Sequence, residues 1–248
     1  MATRYDEHHD FYLSFVDRLG TTPGHRASLG ALLDAAGDLH GQTVCDLACG
    51  EGFLSRILAS QGAQVYGFDL SDALIASAKE RSDPAIQYEV QDAEQLEGVA
   101  SDFFDTVICH LAVMDIGDLD AFCTTANRVL KPGGQLLITL LHPCFETPFD
   151  ASTGPLVETD EENNFRALRV MKYRSEGFWR SDGTGVRGRV GAHHRYLSTY
   201  INTLINSGFQ IEQLLEPFPE EISEDRSIEI QWSEHIPRFM TICVRKTN

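Results

Sequence analysis

The stretch VCDLACGEG at residues 44–52 runs directly into FLSRIL at residues 53–58, and together they decide the fold. It opens with apolar, β-prone residues, breaks at Gly50 and Gly52, and continues with apolar residues at helical spacing. This order predicts a strand, a tight turn and a helix, the first half of a βαβ unit. The glycines let a ligand approach the backbone closely, and the first amides of the helix face that ligand. We therefore predict a small-molecule site at this turn.

Two kinds of ligand fit such a turn. Read as Gly-x-Gly-x-x-Ser, with Gly50, Gly52 and Ser55, it is an imperfect dinucleotide fingerprint, as in an NAD-linked oxidoreductase. Read as Asp-x-Ala-x-Gly-x-Gly, it resembles the first motif of class I S-adenosylmethionine-dependent methyltransferases. Asp46 separates the two, because a pyrophosphate requires amides without a carboxylate nearby, whereas S-adenosylmethionine brings an ammonium and a sulfonium and no phosphate. The motif favours the methyltransferase, but alone it leaves both ligands open.

Composition sets the bounds on the other classes of function. The 248 residues, 42% of them hydrophobic, suffice for one large domain, or for one domain with a lid. A net charge of −17 argues against nucleic acid or an anionic membrane as the main partner, since both require basic patches. No apolar run reaches the ~20 residues of a membrane span, and the N-terminus is too polar for a signal peptide. The six cysteines show no paired Cys-x-x-Cys spacing, so we expect reduced, buried thiols in a cytoplasmic protein.

Strand and helix patterns alternate through the first half of the chain. The predicted strands lie at 44–47, 64–70, 86–90, 104–110 and 135–141. The predicted helices lie at 53–58, 73–81 and about 118–130. Ser71 is a predicted N-cap, and the KPGG sequence at 131–134 is predicted to turn the chain into its fifth strand. Such alternation indicates a parallel sheet with right-handed crossovers.

The last part of the chain adds two strands of a different kind. A helix is predicted at 199–206 with Ser198 as its N-cap, followed by a strand at 209–215. The final strand at 239–244 follows no helix pattern, so we expect it to enter the sheet antiparallel. A closing strand of this kind is typical of a methyltransferase sheet and is not expected of a dehydrogenase.

Acidic residues end two of the predicted strands. Asp69, at the end of the second strand, is placed to accept hydrogen bonds from two ribose hydroxyls, and both candidate ligands contain a ribose. Asp92 follows the third strand, where it is either a ligand of the cofactor or only an N-cap.

Residues 42–142 as a whole resemble a class I S-adenosylmethionine-dependent methyltransferase of the small-molecule type, with four motifs in order, including RVLKPGGQLLI at 128–138. The resemblance implies an α/β fold, a Rossmann-like, doubly wound, seven-stranded sheet with an antiparallel last strand. It also implies cofactor contacts at the turn, the ribose, the adenine and the methionine part. The implied residues are Asp46, Ala48, Gly50 and Gly52 for the turn, Asp69 and Leu70 for the ribose, Asp92 and Ala93 for the adenine, and His110 for the methionine part. Ala48 stands where many relatives have glycine.

Two segments lie outside this core pattern. Residues 1–40 are predicted to form an N-terminal helical cap on the domain at 41–248. Residues 143–197 form an insertion after the fifth strand that is far longer than an ordinary connection. Its first part, through Asn164, is predicted to be loop, and residues 170–174 alternate like a β-ribbon. Because the insertion leaves the ligand-binding edge of the sheet, we expect it to be a lid over the acceptor.

Histidines near that edge are the candidate bases. His142 ends the fifth strand, and His193 with His194 ends the insertion. We predict His194, or else His142, as the base that takes the proton of an acceptor hydroxyl. No local spacing of these histidines fixes a metal, so no metal site is predicted. Tyr5, Tyr12 and Trp179 are the candidate aromatic faces beside the sulfonium.

The sequence therefore predicts an S-adenosylmethionine-dependent methyltransferase that acts on an oxygen or a nitrogen of a small-molecule acceptor. Two alternatives stay open, an NAD-linked oxidoreductase and a catalytically silent S-adenosylmethionine-binding protein. The pattern does not specify the acceptor or the oligomeric state.

We predict that the chain binds S-adenosylmethionine and its demethylated product S-adenosylhomocysteine, and not NAD, because Asp46 suits an amine and repels a pyrophosphate. Isothermal titration calorimetry with each ligand measures this. Tighter binding of NAD than of S-adenosylhomocysteine would exclude the methyltransferase interpretation.

Overall fold

The computed structural model describes residues 3–19, 22–146, 157–220 and 228–247, which contain helices, strands and a short 3-10 helix, Val113–Asp115. The helices are α1 Arg4–Glu7, α2 His9–Leu19, α3 Pro23–Ala36, α4 Phe53–Ser60, α5 Asp72–Arg81, α6 Leu119–Val129, α7 Val186–Arg189, α8 Leu197–Asn206 and α9 Ile228–Ser233. The strands are β1 Thr43–Leu47, β2 Gln64–Asp69, β3 Gln87–Val90, β4 Phe104–His110, β5 Leu130–Leu141, β6 Val157–Thr159, β7 Phe165–Leu168, β8 Gly177–Trp179, β9 Ala192–His194, β10 Phe209–Leu215 and β11 Phe239–Lys246.

Seven of these strands form one sheet in the order β10-β11-β5-β4-β1-β2-β3. The five strands from β3 to β5 run parallel, and β11 lies antiparallel between β5 and β10. This arrangement confirms the predicted seven-stranded sheet with an antiparallel last strand. It also puts the start of β11 at the same edge as the ends of the parallel strands.

Helices cover both faces of the sheet, because the central strands are apolar on both sides. On one face, α6 and α8 pack through Phe122 and Leu204 against β4 and β5. On the other face, α4 and α5 pack through Leu58 and Ile75 against β1, β2 and β3, and α3 packs against β5 and β11. The carboxyl ends of the parallel strands are left open between these layers, which is where a doubly wound sheet binds its ligand.

The junction between α6 and β5 differs from the prediction of a turn at 131–134. The helix ends at Val129, and the strand begins at once with Leu130, which lies opposite Phe104. The register then shifts, so that Gln135 lies opposite Thr106. KPGG is therefore an irregularity inside β5, and Gly133, at a φ of 73°, supplies the positive φ that it requires.

Helix α8 begins at Leu197, with Tyr196 rather than Ser198 as its N-cap. Its first amides are bound by side chains of the insertion instead of by a local cap. Glu176 accepts hydrogen bonds from the amide of Tyr196 at 2.8 Å and from the hydroxyl of Thr199 at 2.6 Å. A cap supplied from a distant part of the chain leaves no local sequence signal.

The insertion at 143–197 contains two small ribbons that the sequence did not locate. Strand β6 pairs with β7, and β8 pairs with β9, both antiparallel. Residues 170–174, predicted as a ribbon, are irregular, and β6 lies within the part predicted as loop. Positions 147–156 of the predicted loop lie outside the described residues. The alternation at 170–174 has no strand partner, and period-two alternation without pairing does not make a strand.

We expect Arg128→Met to lower the free energy of unfolding by roughly 2 kcal/mol, because it removes the donors from three carbonyls of the loop at 95–99, two of them half-buried. The Arg128 guanidinium donates to the carbonyl oxygens of Val99 at 2.6 Å, Gln95 at 2.9 Å and Leu96 at 3.0 Å. Urea denaturation measures the change. Lys79→Met on the exposed face of α5 is the control and should stay within about 0.5 kcal/mol of the parent. An equal decrease in the free energy of unfolding in the two variants would show that Arg128 does not stabilise the loop at 95–99.

Candidate functional site

Four polar side chains lie side by side at the carboxyl edge of the sheet. Asp92 follows β3, Asp69 ends β2, Asp46 is in β1, and His110 ends β4. They line one cavity of about 560 Å³. This volume is in the range of small-molecule sites, ~300–1,000 Å³.

The cavity includes all the predicted cofactor residues except Gly52. Those that line it are Asp46, Ala48, Gly50, Asp69, Leu70, Asp92, Ala93 and His110. Gly52 is instead the N-cap of α4, at a φ of 80°, and a Cβ there would lie 2.3 Å from the hydroxyl oxygen of Tyr88. It is therefore needed for the turn and for packing behind the turn, not for contact with a ligand.

The backbone of the turn passes through positive φ at Ala48, with 60°, and at Gly50, with 56°. A left-handed conformation costs an alanine ~1–2 kcal/mol, a cost that a glycine at position 48 would not have. A Cβ at Gly50 would lie 3.2 Å from the hydroxyl oxygen of Tyr12, so this side chain from α2 lies directly over the turn.

Asp69 links β2 to the turn. Its Oδ2 accepts a hydrogen bond from the amide of Gly50 at 2.8 Å, and its Oδ1 accepts one from the amide of Ser71 at 2.9 Å. Burial raises the pKa of Asp69 to about 6, although the two amide hydrogen bonds act in the opposite direction. Ser71 is also the N-cap of α5, as predicted. A carboxylate fixed in this way is preorganised to accept ribose hydroxyls.

Asp46 is almost fully buried and accepts a hydrogen bond from the hydroxyl of Ser55 at 2.6 Å. Burial raises the pKa of Asp46 to about 7, and the charge of Asp69 contributes in the same direction. Ser55, which completes the imperfect dinucleotide fingerprint, is thus used to orient a carboxylate. A pyrophosphate beside Asp46 would face two acids, whereas an amine would stabilise their charged forms.

Asp92 stabilises the loop that follows β3. Its carboxylate accepts hydrogen bonds from the amide of Glu94 at 2.9 Å and from the side chain of Gln95 at 3.2 Å. Asp92 therefore has a local structural role and also lines the cavity. Asp92 can therefore cap the turn and also contact the adenine.

A hydrogen-bonded latch of three segments lies over the cavity. The hydroxyl of Tyr5, from α1, donates to Oδ2 of Asp115 at 2.9 Å. The guanidinium of Arg187, from α7 in the insertion, donates to Oδ1 of Asp115 at 2.6 Å. All three side chains line the cavity, so the N-terminal cap and the insertion both contribute to its walls.

The structure does not bring the predicted bases His194 and His142 to the cavity, and we correct both assignments. Nε2 of His194 lies 2.9 Å from the carbonyl oxygen of Tyr173, and Nε2 of His142 lies 2.8 Å from Glu216. Both rings are buried and absent from the cavity wall. His194 lies on the buried face of β9, together with Ala192, and this face points into the protein. Trp179, a predicted aromatic face, packs against the core instead.

Several residues of the cavity wall were missed by the sequence analysis. The main ones are His25 from α3, Asp115, Arg187, and the pair Arg238 and Phe239 at the start of β11. The signal for the last pair was available, because an antiparallel closing strand starts at the ligand-binding edge of the sheet. His25 and Asp115 carried no such signal.

Within the described part of the chain, no helix is both long and apolar enough to cross a bilayer. The same residues contain no cluster of three or more histidine, cysteine or acidic side chains suited to a metal ion.

Comparison with known proteins identifies the family. Residues 45–138 match the family model described as a methyltransferase domain. A solved S-adenosylmethionine-dependent methyltransferase from Mesorhizobium loti superposes with a TM-score of 0.75 at 29% identity, over 89% of this chain and 98% of that one. Residues 45–138 form a methyltransferase domain, and the similarity to solved S-adenosylmethionine-dependent methyltransferases extends over about nine tenths of the chain. A second solved structure, of an S-adenosylmethionine-dependent methyltransferase from Listeria monocytogenes, superposes with a TM-score of 0.74 at 29% identity. The superposition covers 90% of this chain and 99% of the Listeria chain.

A curated relative carries a more specific name. The ubiquinone biosynthesis O-methyltransferase of Xanthomonas oryzae is 32% identical over 143 residues, which are 54% of this chain and 60% of the relative. The match spans less than two thirds of that protein's length. It supports the family and leaves the acceptor of this methyltransferase to be argued from its own residues.

We expect S-adenosylhomocysteine to release protons when it binds at pH 6.5. Asp46 and Asp69, with pKa values raised to about 7 and about 6, are partly protonated in the free protein at that pH. The ammonium and the ribose hydroxyls favour the ionised carboxylates, so affinity should rise from about pH 5 to about pH 8. Calorimetry in two buffers of different ionisation enthalpy counts the protons. Proton uptake would contradict these assignments.

We also expect Asp69→Asn to weaken S-adenosylhomocysteine binding by roughly 1.5–3 kcal/mol, because the ribose loses a charged acceptor. The variant should release fewer protons on binding than the parent. Asp72→Asn, at the exposed first position of α5, is the matched control and should bind as the parent does. If Asp69→Asn is folded and binds with unchanged affinity, Asp69 does not hold the ribose.

Proposed function

We propose that this methyltransferase transfers the methyl group of S-adenosylmethionine to an oxygen or a nitrogen of a small-molecule acceptor. The observation that carries the proposal is a single cavity with two kinds of lining. Acids line it at the ends of β1, β2 and β3, and His110 and Arg238 line it farther along the sheet. The hydrogen-bonded Tyr5, Asp115 and Arg187 also belong to its wall. A cavity of about 560 Å³, lined by residues of the sheet, the N-terminal helices and the insertion, suits a small acceptor better than the surface of a macromolecule.

The residues present fit the cofactor. Asp69 offers a fixed carboxylate to the ribose, Asp92 and Ala93 lie where the adenine would be held, and Asp46 offers a carboxylate to the amine. S-Adenosylmethionine, when bound, supplies a methyl group on a positively charged sulfur. The chain's own contribution is to orient the acceptor in line with that group and to exclude water.

Aromatic side chains of the N-terminal cap support the proposed role of the chain in excluding water from the site. Tyr5 and Tyr12 pack edge to face with their ring centres 5.0 Å apart, and both line the cavity. Burial raises the pKa of each phenol, so both stay neutral. Neutral rings over the turn exclude water and present π-faces to a cation.

We further propose that residues 1–40 act as a cap and residues 143–197 as a lid over the acceptor. The latch supports this, as does Asp6, whose Oδ1 accepts hydrogen bonds from the hydroxyl of Ser71 at 2.5 Å and the amide of Ala73 at 3.2 Å. The first residues of the chain thus rest on the helix that follows the ribose carboxylate.

The setting that we propose is cytoplasmic. All six cysteines are free thiols, and four of them are buried: Cys45, Cys109, Cys123 and Cys243. Free thiols are typical of proteins from reducing compartments.

Turnover tests the proposed function. S-Adenosylhomocysteine formation is measured with S-adenosylmethionine and either the low-molecular-mass or the macromolecular fraction of a cell extract. We expect product with the first fraction only, and none with the Asp69→Asn variant. Product with the macromolecular fraction alone would overturn the small-molecule assignment. Binding of S-adenosylhomocysteine without turnover in any fraction would favour a catalytically silent binding protein.

A further inference from the structure

The order of the strands fixes where the acceptor end of the cavity lies. From β3 to β1 the sheet edge carries Asp92, Asp69 and Asp46, the acids that suit the cofactor. Beyond them come β4, β5 and β11. Adjacent strands are ~4.8 Å apart, so β11 begins about 14 Å from β1 along this edge. An acceptor beside the methionine part therefore lies over the ends of β4 and β5 and the start of β11.

The side chains at that end are basic or neutral rather than acidic. His110 ends β4, and Arg238 directly precedes Phe239, which lies opposite Leu141 of β5. His25 reaches the same place from α3, with its ring centre 4.7 Å from that of Phe239. His110, His25 and Arg238 all line the cavity.

A hydrogen bond fixes the orientation of the His25 ring. The hydroxyl oxygen of Thr22 accepts a hydrogen bond from the backbone amide of His25 at 3.4 Å and lies 2.5 Å from its Nδ1. Because Nδ1 is engaged in this way, Nε2 is the ring nitrogen that a ligand in the cavity would meet.

His110 has a buried ring nitrogen that no described residue satisfies. Its Nδ1 has no hydrogen-bond partner among the described residues. A buried polar atom without a hydrogen-bond partner destabilises the fold unless a ligand or a water molecule forms a hydrogen bond with it. Burial lowers the pKa of His110 to about 4, and burial with Arg238 and His110 nearby lowers the pKa of His25 to about 3. Neither ring can hold a proton taken from an acceptor at neutral pH.

Two acids lie near this end of the cavity, and each has an arginine close by. Asp115 is engaged by Arg187 and Tyr5 in the latch. Burial raises the pKa of Glu146 to about 7, so a fraction of this group is neutral at physiological pH. The Arg238 guanidinium lies 5.8 and 5.6 Å from the ring centres of Trp232 and Phe239, and the residue lines the cavity.

We propose that His25, His110 and Arg238 form the acceptor subsite, and that the acceptor presents an anionic oxygen to it, as a phenolate or a carboxylate does. This inference rests on the proposed function and names its substrate class. The acceptor loses its proton to solvent before the reaction, so the protein needs no strong base. Its oxygen supplies the electron pair of the new O–CH₃ bond, the S–CH₃ bond breaks, and that electron pair stays on sulfur. The products are a neutral ether or ester and the uncharged thioether S-adenosylhomocysteine.

The test uses para-nitrophenol, whose phenolate absorbs visible light and which titrates near neutral pH. The protein, saturated with S-adenosylhomocysteine, is titrated with this probe, and absorbance reports the ionisation of the bound form. We expect the phenolate to bind, with the proton affinity of the bound probe at least tenfold lower than in solution. We expect Arg238→Gln to weaken phenolate binding at least tenfold and Arg238→Lys to restore part of it. Binding as the neutral phenol would overturn the proposal.

Two further probes separate the chemical classes. Para-nitrobenzoate should compete with the phenolate, whereas para-nitrobenzyl alcohol and para-nitrobenzylamine should bind at least tenfold more weakly. Tighter binding of the amine would overturn the proposal, because it would indicate a nitrogen acceptor. Competition by benzoate stronger than by phenolate would assign the site to carboxylates within the proposed class.

Arg245→Gln is the matched control variant. Arg245 pairs with Glu212 at 2.5 Å and donates to the carbonyl oxygen of Gly133 at 2.9 Å, at the opposite edge of the sheet. It should bind the phenolate as the parent does. Both variants should keep the parent's S-adenosylhomocysteine affinity, which also shows that they are folded. Loss of phenolate binding in both variants alike, or in neither, would contradict a local role for Arg238.

The two proposals fail in different ways. If the parent does not bind S-adenosylhomocysteine, the proposed function fails. If it binds S-adenosylhomocysteine but no anionic probe, only the acceptor subsite fails.

Discussion

The site depends on how the carboxylate of Asp69 joins two chain segments. Its two oxygens accept the amides of Gly50, in the first turn, and Ser71, at the start of α5. These bonds hold the end of β2 against the turn after β1, so that the ribose position and the methionine position have a fixed separation. The same bonds oppose the rise in pKa that burial imposes on this acid. One side chain therefore sets both the geometry and the charge of the cofactor half of the cavity.

Charge divides the cavity along the sheet edge. The ends of β1, β2 and β3 carry acids, whereas β4 ends in His110, β11 begins beside Arg238, and His25 of α3 lies close to the start of β11. The cationic cofactor would lie beside the acids. An anionic acceptor would lie beside the arginine and the neutral histidines. The overall charge of −17 says nothing about this division, because it is the local arrangement that a ligand experiences.

Much of the fold could be predicted because it depends on local patterns. Turn glycines, strand-end acids and buried apolar runs each act within a few residues of sequence, and they located the sheet, its antiparallel closing strand and most of the cofactor wall. Gly52 fitted the motif but serves packing against Tyr88, a contact between distant segments. The same limit explains the start of α8, whose N-cap residue Tyr196 donates its amide to Glu176.

The catalytic side of the site could not be predicted in this way. His194 and His142 had the right chemistry and the right position along the chain, yet Tyr173 and Glu216 hold their rings within the protein. His25 was overlooked because it lies on a helix before the first strand, and only packing of α3 on β11 brings it to the cavity. Residues gathered from three distant segments leave no spacing rule in the sequence.

The most direct test of this account is a crystal structure of the methyltransferase grown with S-adenosylhomocysteine. The account predicts density for the ribose hydroxyls within hydrogen-bonding distance of the Asp69 carboxylate, the amine beside Asp46, and the sulfur directed toward His110. Density for the nucleoside at another edge of the sheet, or with its ribose away from Asp69, would contradict it.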